Sequence, residues 1–365
     1  MKLLYITNGI KGAAGLERVL AIKANYLVDF LDYEVHILVL NHNDAPVFYE
    51  FSSKIMLHDI SVFGNPFQYL KKYILGIKNV VNKIQPDIIS VCDDGLKGFF
   101  IPMLFKKSFN IIYERHASVN LNFNSNNLNF IQIISNNIKY RLMRYCSQKF
   151  DKFIVLTPEN KQEWNSNNLK VIPNPLSFYP EESSSLTSKK IIVVGSHNYN
   201  KGYDLLLQSW TEVVSKHPDW KLEIYGNIDE SKIYLKLALD LNLNNSVTFL
   251  EPVLNIDQKY LEASIMAMSS RSEGFGMVLI EAMACGVPCV SFDCPCGPSA
   301  IIKNNEDGFL IENGNTEAFA KKLIELIENN EKRKLMGHAA KENVQRFLPE
   351  IVMLQWDLLF KELAK

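Results

Sequence analysis

Arg271-Ser-Glu-Gly-Phe-Gly-Met-Val-Leu-Ile-Glu-Ala-Met-Ala-Cys-Gly-Val-Pro-Cys-Val290 sets a carboxylate on a Gly-rich turn, then a helix with a second carboxylate, then an apolar strand. Gly274 and Gly276 present no Cβ, so the backbone there can approach a ligand closely. The helix begins near Met277, and its unpaired N–H groups and positive dipole end face the same space. Such a start suits a phosphate or diphosphate. Glu281 falls about one turn into the helix and Glu273 just before it. Two carboxylates therefore flank the anion position and can accept hydrogen bonds from neutral hydroxyls. A ligand with a diphosphate in the middle and polyols at both ends, a nucleotide sugar, fits.

Paired carboxylates also raise glycoside hydrolysis. Retaining glycosidases hold acid and nucleophile about 5 Å apart. Eight residues of helix span about 12 Å, and a loop start does not reliably halve that. The third reading is a solvated helix face with ordinary surface Glu. Against it stands the co-occurrence of Gly-Phe-Gly, Glu281 and Gly286-Val-Pro in one short window.

The segment resembles the motif of glycosyltransferase family 4, retaining enzymes of the GT-B fold. In that motif Glu, seven residues and Glu precede Ala-Met-Ala-x-Gly-x-Pro-Val; here Glu273 and Glu281 precede Ala282-Met-Ala-Cys-Gly-Val-Pro-Cys-Val290. The resemblance implies that Glu273 contacts the donor sugar hydroxyls and that Glu281 binds ribose. It also implies that the backbone through Gly274, Phe275, Gly276, Met277 and Val278 meets the sugar and diphosphate. It does not say which sugar is moved.

Bulk properties agree with a soluble two-domain enzyme. A chain of 365 residues exceeds one comfortable core. Its 47% apolar and 22% charged content is ordinary for a globular protein. No apolar run approaches the roughly 18 residues of a membrane helix. The opening run 2–7 ends at Asn8-Gly9, too short for a signal peptide, so a first strand and a cytoplasmic location are expected. Residues 1–180 carry 20 Lys+Arg against 14 Asp+Glu and the remainder 19 against 26, so a net charge of −1 divides into +6 and −7. A basic first half suggests an anionic partner or membrane surface for that half alone.

Cys285, Cys289, Cys294 and Cys296 lie close in sequence, but their spacing lacks the Cys-x2-Cys pairs of zinc knuckles. With Cys92 and Cys146 they read as reduced, structural cysteines, and no metal site is expected.

Short apolar runs alternate with helical patterns in both halves. Strands are predicted at 3–7, 34–40, 54–60, 87–92, 111–114 and 153–156, and helices at 16–30, 66–84 and 131–145. Pro173-Asn-Pro175 and the polar run 180–188 mark a linker. Alternation restarts with strands at 190–194, 222–225, 247–250, 265–268 and 309–311, and helices at 203–214, 231–241 and 316–347. Strand–helix alternation implies βαβ units and parallel sheets. The expected class is α/β, with two Rossmann-like domains facing across a cleft as in GT-B. Domains are expected at 1–175 and 190–347 with a linker at 176–189. The helix at 348–365 returns to the first domain, as the resemblance implies.

Three further positions carry candidate chemistry. Gly9-Ile-Lys-Gly-Ala-Ala-Gly-Leu-Glu-Arg18 follows the first strand, and the small residues Gly12, Ala14 and Gly15 admit a phosphate or sugar, or simply form a tight turn. The family loop it resembles lines the cleft beneath donor and acceptor. Gly195-Ser-His-Asn-Tyr-Asn-Lys-Gly202 places Lys201 where it can neutralise a leaving diphosphate, as Mg²⁺ does elsewhere. Many relatives carry Arg where Ser196 stands, so half of the local positive charge is missing; His197 beside it is a bystander by default. His116 follows a strand. Alone it is a structural hydrogen-bonding group, but the resemblance implies contact with the donor sugar near the reacting carbon. Asp93 and Asp94 read as exposed turn acids.

The apolar run 97–107 and the basic set Lys139, Arg141, Arg144, Lys149 and Lys152 read either as core with a solvated rim or, as the lipid-linked acceptors common in the family it resembles imply, as peripheral contact with an anionic membrane on its inner face. No nucleic-acid motif is present. The expectation is a retaining, metal-independent transferase with Glu273, Lys201 and His116 as catalytic residues. Gly195 and Ser196 join the donor-binding set. It moves a hexose or N-acetylhexosamine from a nucleotide sugar, UDP-linked by preference, to a glycan or lipid-linked glycan in cell-surface polysaccharide synthesis. A nucleotide-sugar epimerase of the same fold and a non-catalytic binding subunit are the alternatives.

Overall fold

The computed structural model describes residues 1–43, 45–93, 95–105, 108–119, 130–164 and 166–365. Among the described residues the contacts divide into two units, one of Met1–Ala117, 130–177 and Pro349–Lys365, the other of 118–119 and Phe178–Leu348. Both are α/β with parallel sheets, the class that the alternation predicts.

The first unit holds β1 (Lys2–Thr7), β2 (Glu34–Leu40), β3 (Met56–Ile60), β4 (Ile88–Cys92), β5 (Asn110–Glu114), β6 (Lys152–Val155) and β7 (Leu169–Val171). They form one parallel sheet in the order β3-β2-β1-β4-β5-β6-β7. β1 and β4 are buried on both faces. Helices cover both sides, which is why these strands read as continuous apolar runs instead of alternating. α1 (Gly15–Phe30) follows β1, α2 (Pro66–Ile84) follows β3, a 3-10 helix at Leu96–Leu104 follows β4, and α3 (Phe130–Ser147) and the short α4 (Asn160–Glu163) complete the set. α2 starts where the sequence chemistry says it should. Asn65 accepts the Gln68 N–H while the Gln68 side chain returns a bond to Asn65, and Pro66 occupies the first helical turn.

The second unit holds β8 (Lys190–Val194), β9 (Lys221–Tyr225), β10 (Val247–Leu250), β11 (Ile265–Met268), β12 (Cys289–Asp293) and β13 (Gly308–Glu312). These are parallel in the order β10-β9-β8-β11-β12-β13. Around them lie α5 (Tyr203–Lys216), α6 (Ile233–Asp240), α7 (Ile256–Leu261), α8 (Met277–Ala284), α9 (Pro298–Ile301), α10 (Thr316–Glu328) and α11 (Asn330–Val344). Trp210, Leu206 and Leu207 of α5 share one core with Phe292, Phe309 and Phe319. The last helix, α12 (Pro349–Leu363), belongs to the first unit, where Val352, Met353, Trp356, Leu359 and Phe360 join Leu20, Ala24 and Leu27 of α1 in a common core.

In each sheet the strand order reverses beside the first strand, at β1/β4 and at β8/β11. Loops leaving the carboxyl ends of those pairs diverge to opposite faces and open a crevice, where doubly wound sheets bind ligands. The loops carrying Gly12–Gly15, Gly195–Lys201 and Glu273–Gly276 all leave such ends.

Part of the predicted surface is core. In the run 97–107, Phe99 and Ile101 are fully buried, with Phe99 against Tyr113 and stacked on Trp164. Asp93 is also buried, its carboxylate taking bonds from Asn8 and the Gly95 N–H, because the tight turn after β4 draws it inward. Asp94 lies outside the described residues. No helix among the described residues is long and apolar enough to cross a membrane.

Candidate active site

The site in the second unit is built by two loops fastened to each other. After β8 the chain turns at Gly195, whose carbonyl accepts the Tyr203 hydroxyl at 2.6 Å. A 3-10 turn at Tyr199–Lys201 follows, with the Asn198 side chain accepting the Lys201 N–H. It ends at Gly202, which has φ +63° and is so close to the Ser269 carbonyl that any Cβ would overlap it. Backbone thus meets backbone between the loop after β8 and the loop after β11.

Side chains complete the fastening. Ser269 Oγ donates to the Lys201 carbonyl at 2.8 Å, Arg271 N–H to the Asn200 carbonyl at 2.7 Å, and Asn200 Nδ2 to the Ser272 carbonyl at 2.6 Å. The Arg271 guanidinium donates to the Tyr199 carbonyl, grips both oxygens of Asp204 at 2.9 and 2.6 Å, and lies 4.0 Å from the Tyr199 ring centroid. Bidentate geometry and stacking on one planar cation fix position as well as charge. The result is that Lys201 Nζ reaches Glu273 Oε1 at 2.7 Å, with both side chains largely but not wholly buried.

Gly276 is the N-cap of α8 at φ +103°, a conformation that a side chain would strain, and no side chain caps the helix start. The amides at Met277 and Val278 begin the helix four and five residues after Glu273, and the helix dipole there favours an anion. Phe275 contributes backbone only, since its ring is buried against Phe347. Glu281 is fully buried in the second turn of α8, with the Tyr260 hydroxyl 3.5 Å from its carboxylate. Ser196 follows Gly195 on the same loop, and Arg271, bound to Asp204, is already committed.

His197 packs inward. It is 5% exposed, its ring is edge-on to Tyr203, Tyr234 and Phe249, and neither ring nitrogen has a hydrogen-bond partner. Burial lowers its pKa below the usual 6.5, against the pull of Asp229 and Glu251.

In the first unit, Gly15 at the start of α1 has open space around it, while the Glu17 side chain folds over Gly12 and burial raises its carboxyl pKa. Ala14 is the uncapped N-cap of α1. His116 belongs to a cluster within the first unit. Glu114 receives the Lys23 ammonium, the Ser90 hydroxyl at 2.6 Å and, at 3.4 Å, His116 Nε2. Burial alone would raise the Glu114 pKa, but the Lys23 and His116 charges hold it down to about 2. Lys23 in turn lies 3.4 Å from the Trp356 ring centroid.

Cys92, Glu114 and His116 also place ligand atoms within 4.8 Å of one another, as a metal would require. Burial pushes the Cys92 thiol well above its ordinary pKa, and the Lys23 ammonium already answers the carboxylate, so this cluster is organised around an internal cation. No three of Cys285, Cys289, Cys294 and Cys296 converge on a ligand set among the described residues. All four are buried and none is in a disulfide, and burial drives the Cys285 thiol up to about 12.

Sequence reasoning quoted Arg271 without giving it a role, and passed over Asp204, Asn200 and Ser269. The one available signal was an Arg two residues before Glu273; its partner is 67 residues away.

Comparison with known proteins adds four findings. Residues 178–343 match the family model described as glycosyl transferases group 1. The chain is 30% identical to an uncharacterized glycosyltransferase of Haemophilus influenzae, over 97% of this chain and 98% of the other. It is 28% identical to the amylovoran biosynthesis glycosyltransferase AmsD of Erwinia amylovora, over 98% of each. In fold it is similar to HepE of Anabaena, solved in complex with UDP, with a TM-score of 0.78 at 17% identity, covering 99% of this chain and 100% of that one.

Proposed function

The chain belongs to the group 1 glycosyltransferases, and from that membership we propose its reaction. It transfers a hexose or N-acetylhexosamine from a UDP-sugar to a glycan or lipid-linked glycan in polysaccharide synthesis, with retention at the anomeric carbon and without a metal ion. The relative named for amylovoran biosynthesis and the UDP-bound HepE support the acceptor and donor classes.

One observation carries the reading: the Lys201–Glu273 pair at 2.7 Å, with Glu273 three residues before Gly276, where a helix starts with no side-chain cap. Lys201 holds Glu273 in place until a donor arrives. The diphosphate then takes the ammonium and the amides at Met277 and Val278, and the released Glu273 carboxylate accepts the sugar hydroxyls. As the anomeric C–O bond lengthens, negative charge grows on the diphosphate where Lys201 and the helix dipole already stand. The acceptor hydroxyl forms the new C–O bond on the same face, and its proton passes to the leaving diphosphate oxygen. Glu281 binds the ribose. His116 is assigned to the donor sugar.

The test is product analysis with UDP-sugars and glycan acceptors. Release of UDP coupled to an α-linked product from an α-linked donor is expected. An inverted linkage, or an altered sugar still attached to UDP, would overturn it.

A further inference from the structure

Three elements of the first unit form one outer layer. The crossovers β3 to β4, β4 to β5 and β5 to β6 all step in one direction across the sheet, so right-handed connection puts α2, the 3-10 helix Leu96–Leu104 and α3 on the same face. Contacts agree: Lys97 of the 3-10 helix donates to the Tyr69 hydroxyl of α2, and the 3-10 helix packs on α3. These three elements contain Lys71, Lys72, Lys78, Lys83, Lys97, Lys139, Arg141 and Arg144, and not one carboxylate.

The layer is apolar where it should be polar. On α3 the side that packs inward is Tyr140, Met143 and Cys146, all buried. The opposite side carries Ile131 at 76% exposure, Ile134 at 43%, Ile138 at 62%, Leu142 at 36% and Tyr145 at 57%. Their spacing of three and four residues makes a single stripe along the helix, with Lys139 on one flank and Arg141 on the other. On α2, Phe67 and Leu70 are also exposed.

We propose that this face docks on an anionic lipid bilayer, the α3 stripe entering the headgroup–acyl boundary and the flanking cations meeting lipid phosphates. An apolar stripe bordered by cations is the chemistry of an interfacial helix. A second copy fits poorly, because a two-fold contact would set eight cations against the same eight with no carboxylate to answer them. A nucleic acid would answer the cations but leave four aliphatic side chains in water. The inference rests on this surface alone and not on the proposed donor chemistry, so either can fail without the other.

The test is flotation of the full-length chain with vesicles of phosphatidylcholine alone or mixed with phosphatidylglycerol. Binding to the mixed vesicles only, weakened by salt, is expected. Two double variants, Ile134→Ser/Ile138→Ser and Lys139→Glu/Arg141→Glu, change positions that are exposed or, at Lys139, half-buried, and should keep the wild-type melting profile. Each should lower the partition coefficient at least about tenfold. Absence of vesicle binding would overturn the proposal, as would variants that bind like wild type. So would light scattering showing a lipid-free dimer that the isoleucine variant dissolves.

Discussion

Lys201 and Glu273 stand 72 residues apart in the chain and 2.7 Å apart in the fold, each at the carboxyl end of a strand flanking the reversal in the second sheet. Neither loop alone could hold its charge there. The ammonium and the carboxylate pair at the spot where a diphosphate and a sugar would separate them.

Splitting that pair should therefore separate binding from turnover. Lys201→Ala is expected to lower kcat at least about tenfold through lost stabilisation of the leaving diphosphate. Glu273→Gln is expected to remove most transfer while UDP affinity stays near wild type, because the carboxylate serves the sugar. Steady-state kinetics alongside UDP titration calorimetry checks both.

The clamp behind the pair is a positioning device. Arg271→Ala removes a bidentate bond to Asp204 and a bond to the Tyr199 carbonyl, and should cost about 1–3 kcal/mol of stability. Lys201 loses its anchoring at the same time, so kcat should fall too. Arg271→Lys should not rescue it, since an ammonium cannot grip two oxygens and stack on Tyr199. Denaturant unfolding and kinetics on the two variants decide.

Much of this architecture was legible in the chain, for identifiable reasons. Mostly apolar runs between polar turns, such as Ile88–Cys92, and capped helices such as α2 announce themselves because their own residues determine them. β7, α7 and α9 were not seen, because three to six residues are too few to show a period. The Gly-Phe-Gly turn before α8 was readable because its glycine at Gly276 answers a local backbone need. The Arg271–Asp204 clamp and the Lys23–Glu114 pair were not, because each joins residues that only tertiary folding brings together. Phe99 was misplaced on the surface for the same reason: a short apolar run beside lysines does not reveal which side turns inward.

His197 gives the fold a pH dependence near neutrality. Its folded pKa lies below the usual 6.5, so between the two values the unfolded chain binds a proton that the folded chain does not. Stability is then lost as pH falls below about 6.5. His197→Phe should flatten the melting temperature between pH 7 and the folded pKa relative to wild type. Parallel slopes in the two proteins would contradict this.

The buried pair Lys23–Glu114 makes a second, more acidic prediction. With Glu114 at about 2 in the fold and near 4.5 unfolded, its contribution is present above about 4.5 and is lost as pH falls toward 2. Glu114→Gln at neutral pH strands the Lys23 ammonium against Trp356 and should cost about 3–5 kcal/mol. Lys23→Met/Glu114→Gln should recover a large part of that. A double-mutant cycle by urea unfolding measures the coupling.

The most direct measurement is a thermal-shift panel with UDP, GDP, ADP and their common sugar conjugates, each with and without EDTA. A ligand at about a hundred times its dissociation constant adds about 2.7 kcal/mol. The account predicts that UDP and a UDP-sugar raise the melting temperature, that GDP and ADP do so less, and that EDTA changes nothing. No shift with any nucleotide, or a UDP shift that EDTA abolishes, would contradict it.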